Sequence, residues 1–145
     1  MPVALVTGAS AGIGLETAKG LAKKNFDLIL VSRNSQKLHS IKGDLESKYQ
    51  IQCDVYVYDL SLIKSNIHFH QAVINKFQKV DVLINNAGAI FMNKTTTDEG
   101  LEKTFALNHM SYFVLSNLFI ESFNSIKVIN VSSEAHRGIS LNLDD

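Results

Sequence analysis

Apolar residues along this chain fall into short unbroken runs that alternate with longer periodic stretches. Val3 to Val6 is such a run and breaks into glycines; it is too short for a helix and suits a buried strand. From about Gly12 to Lys24 the pattern is helical, with Ile13, Thr17, Ala18 and Leu21 on one side and Lys19, Lys23 and Lys24 on the other. Leu28 to Val31 predicts a second strand. Residues 35–49 are polar, with Leu38, Ile41 and Leu45 at helical spacing. Residues 51–58, rich in Val and Tyr, predict a third strand, and residues 61–79 a third amphipathic helix. Val80 to Ile84 predicts a fourth strand, which runs into Asn85-Asn86-Ala87-Gly88. A long helix is expected over 98–123 and a fifth strand over Lys127 to Val131.

Strands and helices therefore alternate strictly, with short joins. Continuous apolar strands linked by helices predict an α/β fold, a doubly wound parallel sheet of about five strands and four helices covered on both faces. No repeat, low-complexity tract or linker interrupts the pattern, and the one proline is Pro2. Residues 1–145 read as a single domain, long enough to bury a core of its own.

The glycines change the picture most. Thr7-Gly8-Ala9-Ser10-Ala11-Gly12-Ile13-Gly14 joins the first strand to the first helix. Glycines there permit a tight turn, a close approach of a pyrophosphate to the backbone, and close packing of helix on strand. The free N–H groups at the helix start then face phosphates. The spacing is GxxxGxG rather than GxGxxG. The strand-loop-helix context points to a dinucleotide cofactor.

An acid about 20 residues on, at the end of the second strand, holds the ribose 2′-hydroxyl in many NAD sites. Here the residues are Val31-Ser32-Arg33-Asn34. The planar guanidinium of Arg33 matches a 2′-phosphate, which favours NADP over the alternative NAD. A solvated surface arginine is the other reading.

Charge and composition exclude more than they assign. Fourteen basic residues balance fourteen acidic ones, so no net positive field favours nucleic acid or an anionic membrane. Hydrophobic residues make up 46% and charged residues 19%, which separates the chain from disordered sequences. No apolar run approaches the roughly 18–20 residues of a membrane span, and no signal peptide is visible, so the default location is cytoplasmic. Cys53 is the only cysteine and reads as a buried thiol. His68 and His70 face different sides of a helix, so no metal site is expected.

Together these residues resemble the short-chain dehydrogenase/reductase family. The segment TGASAGIG is similar to its nucleotide loop, and NNAG at 85–88 to its signature after the fourth strand. By that resemblance the fold is Rossmann-type and the cofactor contacts are Thr7, Gly8, Ser10, Gly12, Ile13, Gly14, Arg33, Asp59, Leu60, Asn86, Ala87 and Gly88. Asp59 would accept from the adenine amino group, or else cap a strand end. Asn85 reads as a stitch between strands. NVSSEAH at 130–136 together with Arg33 is similar to the retinol-dehydrogenase-like branch.

Two catalytic positions match, Asn108 and Ser133. Leu101, Phe105, Asn108, Tyr112, Leu115 and Phe119 step by four, three, four, three and four, which places Asn108 within one apolar helix stripe. A buried amide there either bonds backbone at a kink or belongs to a polar network. The resemblance implies the second, a proton relay through water. Ser133 would bind the substrate carbonyl, with Ser132 supporting it. His109 neighbours Asn108 but points about 100° away, and His136 lies in an expected loop.

The family's acid is a tyrosine in a Tyr-x-x-x-Lys unit on the helix after that serine. No such unit follows Ser133, and Asp145 stands only twelve residues beyond it. On this reading the domain is truncated and carries half of an active site. The expected activity is hydride transfer between a nicotinamide and a small-molecule alcohol or carbonyl, with a missing C-terminal half or a homo-oligomer as possible partners. An NADP(H)-binding module without turnover, or a truncated product, are the alternatives.

Overall fold

A computed structural model of the chain describes residues 1–138 and Ser140, with His136 described in its backbone alone. Five parallel strands form one sheet: β1 (Val3–Thr7), β2 (Asp27–Ser32), β3 (Cys53–Val57), β4 (Val82–Asn85) and β5 (Lys127–Asn130). Their order is β3-β2-β1-β4-β5. The chain builds outward from β1 to β3, then returns to lay β4 on the other side of β1. That reversal opens a crevice at the carboxyl ends of β1 and β4, the position where such sheets bind ligands.

Helices α1 (Gly12–Ala22) and α2 (Ser35–Tyr49) cover one face, and α3 (Ile63–Ile74) and α5 (Ser111–Ser122) the other. The strand alternation divides the core accordingly. Ala4, Val6, Leu28 and Leu30 pack with Ala18, Ala22, Leu38 and Leu45. Val3, Leu5, Ile29 and Val31 pack with Phe69, Val73, Leu115 and Phe119. Phe69 and Phe119 are wholly buried and meet edge to face at 6.2 Å between ring centres. Truncating either ring would cost about 3–5 kcal/mol.

The two sheet edges differ. On β3, Lys42 of α2 donates to the Cys53 carbonyl while Glu46 accepts from the Cys53 N–H at 3.0 Å. A helix thus satisfies backbone groups that an edge strand leaves open. Cys53 is buried there as expected, and burial pushes its thiol up to about 12. On β5, Ile129 remains 40% exposed.

The long helix departs from the expected 98–123. Residues 98–102 form a turn around Gly100, whose φ is +83°, closed by a Thr96–Glu102 bridge. Helix α4 (Lys103–Phe105) begins where Glu102 accepts from the N–H groups of Thr104 and Phe105. A π turn at Ala106–Met110 then links α4 to α5. The π turn inserts an extra residue and rotates what precedes it. The buried side chains are therefore Ala106, Leu107, Ser111, Leu115 and Phe119, while Phe105 and Asn108 are exposed. The single stripe through Asn108 is corrected to this arrangement. No helix among the described residues is long and apolar enough to cross a membrane.

Candidate functional site

The carboxyl ends of β1 to β4 open onto one groove of about 930 Å³. The β1–α1 loop brings Gly8, Ser10, Gly12 and Ile13 to it, β2 brings Arg33, the turn after β3 brings Asp59 and Leu60, and the segment after β4 brings Asn86, Ala87 and Gly88. Ten of the twelve residues expected to contact a cofactor therefore meet in one place. Thr7 and Gly14 stand behind the wall. Thr7 is 1% exposed, and its Oγ1 accepts from the N–H groups of Asn86 and Ala87, each at 2.9 Å. This hydroxyl ties the end of β1 to the end of β4.

Gly8 sits at that seam with φ +68°, and a Cβ on it would lie 2.8 Å from Ala87 Cα. Asn86 crosses back over the seam, donating from Nδ2 to the Thr7 carbonyl at 2.9 Å. Gly12, by contrast, opens α1 with φ +54° and meets nothing within 4 Å on its Cβ side. Ala11 provides no side-chain cap, so the first-turn N–H groups of α1 border the groove without intrahelical partners. A groove that joins an open glycine turn at a helix start to an arginine fits an elongated anionic group such as a dinucleotide.

Asp59 accepts from Ser61 at both the backbone N–H (3.0 Å) and the hydroxyl (2.7 Å), so it braces the turn after β3 while lining the groove. Asn85 behaves as the expected stitch: its Nδ2 donates to Asn130 Oδ1 at 2.8 Å and to Ser116 Oγ at 3.0 Å.

A second groove, about 870 Å³, continues the first through Ile13, Asn86, Gly88 and Ala89. It lies between α5 and the end of β5 and brings Asn108 and Ser133 together, with His109, Tyr112 and Ser132. Asn108 clamps the backbone of Ala89 at two points. Its Oδ1 accepts from the Ala89 N–H and its Nδ2 donates to the Ala89 carbonyl, both at 2.9 Å. Of the two options for this amide, backbone bonding at a helix irregularity is what the structure contains. His109 stacks on Phe105 at 5.0 Å and reaches the same groove despite its helical offset. Ser133 Oγ accepts from the Ala135 N–H at 3.1 Å. Burial holds the Tyr112 phenol above its ordinary range, so at neutral pH it remains protonated.

His70 is 7% exposed and joins α3 to α5 through Ser122 Oγ at 2.8 Å, whereas His68 faces out. No group of three or more His, Cys, Asp or Glu among the described residues is placed to hold a metal ion. Sequence reasoning missed Asn66 and Glu99, which brace the groove wall from behind.

The short chain dehydrogenase family matches residues 2–140. The chain belongs to that family. It is 34% identical to human retinol dehydrogenase 13 over 97% of its length and 44% of that protein's. It is 33% identical to human polyprenol dehydrogenase over 99% of its length and 46% of that protein's. It thus spans about half the length of the curated relatives it matches. A metagenomic short-chain oxidoreductase solved with NADP superposes with a TM-score of 0.84 at 26% identity, covering 96% of this chain and 65% of that one.

Proposed function

We propose that the chain forms the nucleotide-binding part of an NADP-dependent oxidoreductase acting on an alcohol or carbonyl substrate. The observation that carries this reading is the first groove, which runs from the open Gly12 cradle to Arg33 with no acid at the end of β2. The NADP held by the structurally similar metagenomic enzyme supports it. Gly8, Ser10, Gly12 and Ile13 would hold the pyrophosphate, Arg33 the 2′-phosphate, Asp59 and Leu60 the adenine, and Asn86 to Gly88 the adjoining ribose. Thr7 and Gly14 keep the loop against β4. Bound NADP(H) supplies the hydride that the reaction exchanges. Ser133 orients the substrate carbonyl in the second groove, and Asn108 holds Ala89 at the junction of the two grooves.

Titration of NADPH and NADH by intrinsic nucleotide fluorescence tests the proposal. Arg33→Ala should weaken NADPH binding about tenfold or more, the value of a lost charge-assisted pair of about 1.4 kcal/mol, and leave NADH nearly unchanged. Equal losses for both nucleotides, or for neither, overturn the role of Arg33. A second reading is nucleotide binding without turnover. Consumption of NADPH with a panel of ketones and aldehydes decides against it.

A further inference from the structure

The turn between β3 and α3 is held from behind by two side chains outside the groove. Asn66, on α3 and wholly buried, donates from Nδ2 to the carbonyls of Leu60 (2.9 Å) and Leu62 (2.7 Å). Its own Oδ1 is buried with no hydrogen-bond partner among the described residues. An apolar side chain would remove that unpaired oxygen but leave the buried Leu60 carbonyl without its side-chain donor. Glu99, from the turn that precedes α4, reaches α3 from the other side. Its carboxylate accepts from the N–H groups of Ile63 (2.5 Å) and Lys64 (2.9 Å). The N-cap residue of α3 is Leu62, which has no side-chain acceptor, so Glu99 is the remote cap of this helix. Asp59 closes the same turn through Ser61.

Tyr58, Asp59 and Leu60 line the groove. Leu60 itself is only 3% exposed, so a small outward movement of its backbone would reshape the wall. We propose that Asn66 and Glu99 are positioning residues for the adenine end of the nucleotide. They hold the Asp59–Leu60 wall in its binding geometry without touching the ligand. This rests on the nucleotide reading of the groove. Preorganisation of this kind improves affinity by sparing the ligand the cost of ordering its own site.

The test uses the full 145-residue chain, with adenosine 2′-monophosphate and NADPH as probes in isothermal titration calorimetry, and thermal melts run without ligand. Asn66→Leu removes both wall contacts and the unpaired oxygen together. It should raise the dissociation constant of adenosine 2′-monophosphate about tenfold in the folded protein, the equivalent of one lost hydrogen bond. Glu99→Gln keeps an acceptor but loses the charge and should raise the same constant about threefold. A purely structural role would lower the melting temperature and leave the folded protein's affinity unchanged. Affinities within twofold of the parent in both variants overturn the proposal. If Asn66→Leu does not fold, Glu99→Gln alone decides. Failure of the parent chain to bind either probe refutes the nucleotide reading instead.

Discussion

Gly14→Ala probes the tightest of the chain's glycine positions. A Cβ at Gly14 would stand 2.4 Å from the Gly8 carbonyl oxygen and 2.5 Å from Asn86 Nδ2. The optimum for non-bonded heavy atoms is roughly 3.5 Å, so the methyl must push the β1–α1 loop or α1 itself. Overpacking against other side chains costs about 1–3 kcal/mol, and the upper end applies because the first atom met is backbone. Alanine regains at most about 1 kcal/mol of helix propensity, leaving a net loss of about 2 kcal/mol. Gly20 in the same helix provides the control: a Cβ there meets nothing within 4 Å, so Gly20→Ala should gain about 1 kcal/mol. At about 3 °C per kcal/mol for a chain of this size, Gly14→Ala melts ~6 °C below the parent and Gly20→Ala ~3 °C above it. Urea unfolding followed by far-UV circular dichroism gives the same gap as free energy. If Gly14→Ala is as stable as Gly20→Ala, the contact between α1 and the loop is not rigid and the close-packing account of this glycine is wrong.

Burial lowers the His70 ring below its ordinary 6.5, although its bond to the Leu118 backbone and the nearby Glu121 push the other way. The unfolded chain therefore takes up the proton first: the stability His70 confers is whole above pH 6.5 and falls as pH drops through the ring's lowered value. Urea midpoints across this range should show the decline, and His70→Gln should flatten it. Cys53, pushed up to about 12, should react with a disulfide reagent at pH 8 only when urea unfolds the chain; rapid reaction of the native protein would contradict its burial. Asn85→Leu removes the side-chain hydrogen bonds that tie β4 to Asn130 of β5 and to Ser116 of α5. It should cost about 1 kcal/mol, with amide hydrogen exchange faster in β5 than in β2.

The strand-helix alternation, the glycine loop and the end of β2 were legible because each is local. A run such as Val3 to Val6 has one face pattern whatever surrounds it, and the open conformations of Gly8 and Gly12 follow from turn chemistry. The apolar stripe of the last long helix was less so. Counting by threes and fours assumed a regular α-helix, and one π turn moved Asn108 out of the core. The same counting applied to α3 would have found Asn66, which stands in register with Phe69 and Val73 and is wholly buried. Glu99 had no such signal, since its partners lie 35 and 36 residues away.

The sequence by itself determined the strand-helix alternation, the parallel sheet and the chemistry of the loop that opens α1, because period and turn residues act over a few positions. Only the tertiary structure decided which residues share a wall. It set Thr7 behind the groove and Arg33 on it, gave Asn108 to Ala89, and brought Glu99 to the start of α3. Those placements depend on strand order and on one inserted helical residue. Both are settled by packing across the sheet, where residues far apart in the chain compete for the same space.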